Sequence, residues 1–333
     1  MGKVLKWIGI GTLALLGVLA ATLLYFRWQS MQREVLSNAE ARPVTGRFVE
    51  TTAGAFFVQE AGPVAGPVVL LIHGTGAWSE IWRPTMAALA TAGYRAIALD
   101  LPPFGFSDRP EPPAYDRQTQ ANGLLDLLDA MSIVQVTLVG HSFGAGATVE
   151  LALLAPERIE RLVLVDAALG LPAIGAETWP TAAVTTPTLL EQLLHIRPLR
   201  NTLLSATITN PLLTRPLLYT LIANRAAATA EVLTMLQEPL VLHDSTNALG
   251  EWLVPFLFAE ANGMSSDPAA YATLDLPVAL LWGELDQVTP LAQGEALQQR
   301  LPNATLTVLP AVGHIPALED PAAFNRALLA QLR

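Results

Sequence analysis

Short, continuously apolar runs recur along most of the chain and alternate with segments of helical periodicity. Such runs are typical of strands buried on both faces of a parallel sheet. We predict an opening hairpin that turns around Thr52–Gly54, then strands at residues 68–72, 94–100, 135–139, 161–166, 278–282 and 304–309. Helices are predicted near residues 80–92, 118–131, 143–155, 290–301 and 320–332. This alternation predicts an α/β protein with a mostly parallel, eight-stranded, doubly wound sheet.

Two of these helices have recognisable starts. Thr289-Pro290 and Asp320-Pro321 each combine an N-cap residue with a proline. Proline is favoured at the first helical position because the N–H it lacks would have no intrahelical partner there. We therefore expect the last two helices to begin at Pro290 and Pro321.

One long segment interrupts the alternation. Residues 169–273 contain no convincing strand, only patterns rich in Leu, Ala and Thr that are typical of helices. Roughly a hundred residues is too long for a loop in a compact domain. We therefore predict a helical subdomain at 169–273, inserted between core residues 46–168 and 274–333.

The N-terminus carries a different pattern. Twenty uncharged residues run from Trp7 to Phe26, with basic residues on both sides. As a helix they would span about 30 Å, the thickness of the hydrocarbon core of a bilayer. We predict a retained, single-pass membrane anchor at residues 1–27, followed by a polar linker at 28–45. Two alternatives remain open: a buried core helix, and a signal peptide cleaved after Val18-Leu19-Ala20.

The length of the apolar run and the charges beside it indicate whether the segment is cleaved and how it is oriented in the membrane. The apolar run is longer than the roughly 7–15 residues usual in signal peptides, which favours an anchor. Lys3, Lys6 and the free amine lie before the run, and Arg27 and Arg33 follow it. The basic N-terminal side favours a cytoplasmic N-terminus. We therefore expect the body of the protein on the extracytoplasmic side.

Composition and charge exclude several function classes. Hydrophobic residues make up 52% of the chain and charged residues 14%, with a formal net charge of −10. The sequence contains no basic run, which argues against a nucleic-acid partner. It contains no cysteine, so disulfides, thiolate nucleophiles and cysteine metal ligands are excluded. The redox compartment and the oligomeric state stay open.

Ser142 is the candidate nucleophile. It lies in Gly140-His141-Ser142-Phe143-Gly144, between an apolar strand pattern and a helical one. A nucleophile elbow requires this strand–turn–helix setting, in which small neighbours allow a strained turn. The alternative is a glycine-lined turn whose serine caps the helix. A serine hydroxyl is a poor nucleophile at neutral pH, so a nucleophilic Ser142 needs a base and an acid from elsewhere in the chain.

His314 is the candidate base among five histidines. It follows the last predicted strand, at the edge of the sheet where active sites of open α/β folds lie. His141 adjoins the serine, where an elbow would direct its side chain elsewhere. His73 lies in the turn after the strand at 68–72. His195 and His243 lie in the predicted insert.

Asp286 is the candidate acid. It follows the penultimate predicted strand and gives the chain order Ser142, Asp286, His314 that accompanies an elbow. Asp166, at another strand end, and Glu284 remain alternatives. An acid in this position orients the imidazole and stabilises the imidazolium.

An oxyanion formed at Ser142 needs two N–H donors. One is expected from Phe143, the residue after the nucleophile. The second is expected from the turn after the strand at 68–72, where Thr75 is favoured over Gly76.

The ordered motifs resemble those of the α/β hydrolase family, in the branch of epoxide hydrolases, haloalkane dehalogenases and meta-cleavage C–C hydrolases. The matching stretches are HGTGAW (73–78), DLPPFGFSDRP (100–110), GHSFGAG (140–146), WGELDQVTP (282–290) and GHIPALEDP (313–321). The resemblance spans residues 48–333 and implies that the insert is a cap. The dehalogenase and epoxide hydrolase relatives carry Asp at the nucleophile, so Ser142 disfavours both activities.

A serine nucleophile implies an acyl-enzyme. We expect a serine hydrolase that acts on a small apolar carboxylic ester and needs no metal or organic cofactor. Alternatives on the same triad are a C–C bond hydrolase and a cofactor-free perhydrolase, and a more remote one is a non-catalytic binding protein. A C–C hydrolase of the resembling type would need a cap arginine to hold a dienoate, and four are available: Arg197, Arg200, Arg215 and Arg225.

Overall fold

The predicted eight-stranded sheet is present. The computed structural model describes residues 2–170, 188–258 and 263–333. The strands are β1 (Arg47–Thr51), β2 (Gly54–Ala61), β3 (Val68–Ile72), β4 (Arg95–Leu99), β5 (Val136–His141), β6 (Ile159–Val165), β7 (Val278–Gly283) and β8 (Ala304–Leu309). Their order across the sheet is β1-β2-β4-β3-β5-β6-β7-β8. β2 is antiparallel to β1 and β4, and the other neighbours are parallel, so the predicted α/β class is confirmed.

Helices precede, connect and cover the strands. They are α1 (Gly2–Arg33), α2 (Asn38–Ala41), α3 (Arg83–Thr91), α4 (Arg117–Ala130), α5 (Gly144–Leu154), α6 (Leu189–His195), α7 (Arg197–Ala206), α8 (Thr214–Leu218), α9 (Ala230–Gln237), α10 (Ser245–Phe258), α11 (Leu291–Arg300), α12 (Pro316–Glu319) and α13 (Pro321–Gln331). Short 3-10 turns lie at Ser79–Trp82, Pro156–Arg158, Pro211–Leu213, Arg225–Ala227, Glu238–Val241, Met264–Ser266 and Pro268–Thr273.

The central strands are buried on both faces, as their apolar runs predict. In β3, Leu70 and Ile72 pack into one hydrophobic cluster and Val69 and Leu71 into another. Alternate side chains of a strand point to opposite faces, so each cluster covers one side of the sheet. Burial of each such side chain stabilises the fold by about 1.5–3 kcal/mol. The two clusters hold the carboxyl ends of the parallel strands in fixed positions.

One of the two predicted helix starts is confirmed and the other is wrong. Asp320 caps α13 by accepting a hydrogen bond from the Ala323 N–H at 2.8 Å. α11, however, begins at Leu291, with Pro290 rather than Thr289 as its N-cap. Thr289 is turned away because its hydroxyl lies 2.6 Å from Asp286 Oδ2. Tertiary contact here overrides the local capping preference.

In its described residues, the segment between β6 and β7 consists of helices and 3-10 turns joined by short loops. It contains α6 to α10, and we call its residues 188–258 the helical insert. In these residues the structure places no strand, apart from a single β-bridge between Leu36 and Leu242. Residues 171–187 and 259–262 of the predicted subdomain lie outside the described residues. The bounds 169 and 273 remain a prediction.

α1 is one continuous helix, and it runs further than the predicted anchor. Among the described residues, Val4–Arg33 is the one helix long and apolar enough to cross a bilayer, with a mean hydropathy of 2.1. Residues 28–33, predicted as the start of a polar linker, continue this helix. They do so because the end of α1 packs along α7, with Ser30 Oγ 2.8 Å from Ser205 Oγ.

The residues after α1 bind the helical insert directly. Arg33 Nε donates to the Leu240 carbonyl at 3.1 Å, and the Glu34 carboxylate accepts the Thr246 N–H at 3.1 Å. Backbone hydrogen bonds then join residues 35 and 36 to residues 241 and 243. The predicted linker is therefore largely a structured joint between α1 and the insert.

Candidate active site

Ser142 lies on a strained turn between β5 and α5. Its φ is +50°, in the left-handed region that costs a residue other than glycine about 1–3 kcal/mol. Its N–H donates to the Val165 carbonyl at 3.0 Å, which ties the turn to β6. Gly74 lies so close that a Cβ there would be 2.9 Å from the Ser142 Cβ. The turn after β3 thereby lies against the serine, and the strained turn at Ser142 is the one that the strand–turn–helix pattern predicts.

His314 connects Ser142 to Asp286. The His314 Nε2 lies 2.8 Å from Ser142 Oγ, and its Nδ1 lies 2.8 Å from Asp286 Oδ2. Asp286 Oδ1 accepts the N–H groups of Val288 at 2.7 Å and Thr289 at 3.0 Å. Burial alone would raise the pKa of Asp286, but hydrogen bonds and charge interaction with His314, aided by Thr289, lower it. The carboxyl is therefore ionised at neutral pH and can orient the imidazole.

The two alternative acids lie in different places. Glu284 is exposed and accepts the Ala311 N–H at 3.0 Å. Asp166 is fully buried in the site, with its carboxyl within 4.8 Å of Asp286 and His314 atoms. The carboxylate hydrogen-bonded to His314 is nevertheless Asp286.

Asp166, Asp286 and His314 are also the one group of described residues with ligand-type atoms near enough to share a metal ion. An ion held through His314 Nδ1 would displace the proton that this nitrogen donates to Asp286. An ion there would therefore be incompatible with the hydrogen-bonded line that ends at Ser142.

Two further histidines are buried and neutral. His73 donates from Nδ1 to the Gly74 carbonyl at 2.8 Å and accepts the Leu101 N–H at Nε2 at 2.9 Å. His141 donates from Nε2 to the His314 carbonyl at 2.7 Å. Burial lowers the pKa of His73 to about 4 and that of His141 to about 3. Both hold loops around the serine, while the remaining two histidines are exposed in the helical insert.

Candidate oxyanion donors lie on both predicted segments. Within the described part of the chain, the Phe143 and Thr75 N–H groups donate to no other protein atom. Phe143 directly precedes α5, so the helix adds the partial positive charge of its N-terminus. Gly76, the alternative, has a φ of +71° and also lines the space beside the serine. Free donors in this position can bind a developing negative charge.

A cavity of about 360 Å³ lies between the strand ends and the helical insert. Its wall is mostly apolar and includes Phe104, Leu218, Leu221, Leu249, Trp252 and Phe256. Its wall includes Thr75 and Gly76, which follow Gly74 beside Ser142, and Ile315, which follows His314 in the chain. The cavity therefore lies beside the candidate site, although Ser142 and His314 are not part of its wall, and it suits an apolar ligand.

Aromatic rings join the serine turn to the insert. Trp252 and Phe256 of α10 stack with ring centroids 4.7 Å apart. Trp252 also meets Phe104 and Phe143 edge-on, at 5.0 and 5.2 Å. Because Phe143 directly follows Ser142, this cluster fixes the position of α10 relative to the nucleophile. Such pairs add about 0.5–1.5 kcal/mol each beyond area burial.

One charged side chain, Arg109, borders the cavity among the described residues. Its guanidinium is already occupied: it donates to the Pro103 and His243 carbonyls at 3.3 and 2.7 Å and to Ser245 Oγ at 3.0 Å. The four arginines predicted as candidate dienoate ligands do not border the cavity, and they are Arg197, Arg200, Arg215 and Arg225. An anionic substrate would thus find no free cation in the described wall.

Glu319 holds the loop around His314, and the sequence does not predict this contact. Its Oε2 accepts the N–H groups of Ala223, Asn224 and Gly313 at 2.7, 2.9 and 3.1 Å. Its Oε1 accepts the Ile315 N–H at 3.1 Å. The two loop donors flank the catalytic histidine candidate, and the other two belong to the helical insert. One carboxylate therefore clamps the histidine loop to the insert. The only sequence signal for Glu319 is its place in the GHIPALEDP stretch.

We expect Glu319→Gln to reduce both stability and activity. The amide keeps one acceptor oxygen and turns an NH₂ group toward N–H donors, which leaves buried donors unpaired. The free energy of unfolding should fall by about 2–4 kcal/mol, measured by urea denaturation. Displacement of the histidine loop should lower kcat by up to about 100-fold. The exposed Glu295→Gln is the matched control, and an unchanged Glu319→Gln would contradict the clamp.

Known proteins resemble this chain over most of its length. The family described as alpha/beta hydrolase fold matches residues 67–321, which include all three residues of the hydrogen-bonded line. An uncharacterized protein of Mycobacterium tuberculosis (strain ATCC 25618 / H37Rv) is 30% identical over 260 residues, 78% of this chain and 73% of the relative. A 2-hydroxy-6-oxononadienedioate/2-hydroxy-6-oxononatrienedioate hydrolase of Burkholderia vietnamiensis (strain G4 / LMG 22486) is 29% identical over 270 residues, 80% of this chain and 86% of that enzyme.

A solved structure shares the fold. The crystal structure of a membrane phospholipase A superposes with a TM-score of 0.68 and 24% identity, over 98% of both chains. The likeness concerns the fold.

Proposed function

We propose that this chain, which belongs to the α/β hydrolase fold family, is a serine hydrolase. It cleaves apolar carboxylic esters through an acyl-enzyme. The observation that carries the proposal is the unbroken line from Ser142 through His314 to Asp286, with both contacts at 2.8 Å. A nucleophile, a base within hydrogen-bond reach and an ionised acid behind the base are what acyl transfer requires.

The geometry supports the following steps. Ser142 Oγ attacks the ester carbonyl while His314 Nε2 takes the hydroxyl proton. The N–H groups of Phe143 and Thr75 bind the oxyanion of the tetrahedral intermediate. The C–O bond to the alcohol then breaks, and His314 gives its proton to the leaving oxygen. A water molecule, deprotonated by His314, attacks the acyl-enzyme and releases the carboxylic acid.

The cavity supports an apolar acyl group as the substrate portion held by the protein. Each methylene of an acyl chain that is buried against this wall of leucine and aromatic side chains stabilises the complex by about 0.8 kcal/mol. In this reading the helical insert serves as the cap, since α10 packs against Phe143 beside the nucleophile. Few free polar groups of the described wall are available to hold a charged substrate.

A C–C bond hydrolase is the second candidate, favoured by the relative that acts on a dienedioate. The lining of the cavity weighs against it. A dienedioate carries two carboxylates, and burial of a carboxylate without a cation or donors is costly. Arg109 is the one charged side chain in the described wall, and its guanidinium is committed to protein acceptors.

We also propose that α1 is a retained single-pass membrane anchor, with the catalytic body on the extracytoplasmic side. Its length and hydropathy support a span, and its apolar surface is exposed. The orientation rests on the basic residues at its N-terminal end.

A series of p-nitrophenyl esters tests the proposed function. The full chain, recovered in the membrane fraction, should hydrolyse acetate, butyrate, hexanoate and octanoate esters. Its kcat/KM should rise by about threefold per added methylene until the cavity is full. A meta-cleavage dienoate, followed by its loss of visible absorbance, is the competing substrate. Faster cleavage of the dienoate than of every ester would replace the esterase assignment by the C–C hydrolase.

A further inference from the structure

Asp166 is a buried carboxyl without a role in the steps above. It follows β6, is fully buried, and has a φ of +43° that is unusual for a residue other than glycine. Its Oδ1 accepts the Gly283 N–H at 2.8 Å. Its Oδ2 has no hydrogen-bond donor within reach among the described residues. A carboxylate oxygen left in this state would be costly, because a buried charge needs partners.

The neighbour of Asp166 is a second carboxyl. Atoms of Asp166, Asp286 and His314 all lie within 4.8 Å of one another. Asp286 is held in its ionised form by the hydrogen bonds it accepts from His314, Val288 and Thr289. Two buried carboxyl groups this close repel each other when both are ionised, which favours a proton on one of them.

The electrostatic surroundings act in the same direction. Burial raises the pKa of Asp166 well above its usual range, and although the Gly283 N–H opposes the rise, the carboxylates of Asp286 and Glu319 add to it. The Asp286 carboxylate, within 4.8 Å, is a charged acceptor for a proton on the Asp166 carboxyl.

We propose that Asp166 is a neutral carboxylic acid that donates a hydrogen bond from Oδ2 to the Asp286 carboxylate. It is a positioning residue: it acts on the chemistry by fixing Asp286, which in turn orients His314. The Thr289 hydroxyl has one hydrogen, which can be donated to Asp286 Oδ2 at 2.6 Å or to the Asp166 carbonyl at 3.1 Å. When it is donated to the Asp166 carbonyl, Asp286 Oδ2 is able to accept the hydrogen bond from Asp166. The inference rests on the triad role proposed above.

The arrangement has a chemical consequence. A hydrogen bond donated to Asp286 stabilises the ionised form of that carboxyl and reduces its tendency to take the proton of His314 Nδ1. The proton count of the pair is then one at neutral pH, carried by Asp166. The catalytic line keeps a single negative charge behind the imidazole.

Infrared spectroscopy tests the protonation state without reference to any substrate. In the difference between the wild type and Asp166→Asn at pH 8, we expect the carbonyl band of a neutral carboxylic acid, shifted in D₂O. Asn is the matched replacement because it is neutral, keeps an oxygen for the Gly283 N–H and offers an N–H donor to Asp286. A difference spectrum that shows only lost carboxylate bands would overturn the proposal, whatever the enzyme hydrolyses.

Activity separates positioning from a purely structural role. Asp166→Asn should retain kcat/KM within about threefold, with the acid limb of its pH profile unmoved. Asp166→Ala, which removes the donor, should lose about 10- to 100-fold in kcat. An ionised Asp166 gives another result: Asp166→Asn would remove a negative charge near His314, lower the pKa of His314 and move the acid limb to lower pH. That shift would also overturn the proposal.

Discussion

Replacement of Ser142 by alanine is expected to lower kcat/KM for apolar esters by about 10⁵- to 10⁶-fold. The change removes the only atom that bonds to the acyl group, so no acyl-enzyme forms. Labelling by a fluorophosphonate, which reacts with an activated serine, should disappear together with the activity. The measurement is ester hydrolysis by the purified full chain, beside labelling of the same preparations.

Ser132→Ala is the matched control for backbone strain. Ser132 is exposed and, like Ser142, has a positive φ, +54° against +50°. Alanine therefore meets the same conformational cost at both positions, and a loss of activity confined to Ser142→Ala isolates the hydroxyl. Full activity of Ser142→Ala would refute the serine mechanism. A folded wild type that neither hydrolyses esters nor reacts with the probe would favour a non-catalytic protein on this fold.

Asp286→Asn is expected to lower kcat by about 10⁴-fold. Asp286 Oδ1 is held by the N–H groups of Val288 and Thr289, so the asparagine oxygen must stay on that side. The amide NH₂ then faces His314 Nδ1 and forces the imidazole to carry its proton on Nε2. A protonated Nε2 cannot accept the hydroxyl proton of the serine, and catalysis stops for lack of a base.

Two variants locate the acid. Glu284→Gln should be nearly neutral, since that side chain is exposed and binds only the Ala311 N–H. Asp166→Asn should also keep its activity. If Asp166→Asn lost 10⁴-fold while Asp286→Asn stayed active, the acid would be Asp166, and both the triad and the inference about the neutral carboxyl would be wrong.

The strands could be predicted because their signal is local. A run such as the VVLLI stretch of β3 is apolar at each successive position, and this alone distinguishes a doubly buried strand from a surface one. The edge of a parallel sheet then brings the residues after β5, β7 and β8 together. Ser142, Asp286 and His314 could therefore be named from the sequence, although they lie far apart in the chain.

The rest depends on contacts that leave no local pattern. Glu319 binds the insert about a hundred residues upstream, and no periodicity in either segment indicates that pairing. Thr289 looks like a helix cap and serves Asp286 instead. The sequence makes Asp166 a rival to Asp286, whereas the structure places the two carboxyls within 4.8 Å of each other. Residues 28–33 are polar enough for a linker but become helical through packing on α7.

The joint between α1 and the helical insert has a consequence for how substrates are encountered. A flexible tether would let the body sample many orientations and heights above a bilayer, over a range that grows with linker length. The hydrogen bonds of residues 30–36 leave no such freedom. With α1 in a membrane, the cavity is held in one orientation and at one distance relative to the bilayer surface. Molecules concentrated in that layer are met far more often than those in bulk water. If the proposed anchor and the proposed ester substrates both hold, we expect location to select the substrates more strongly than chemical recognition does, because the described cavity wall offers few polar groups for discrimination.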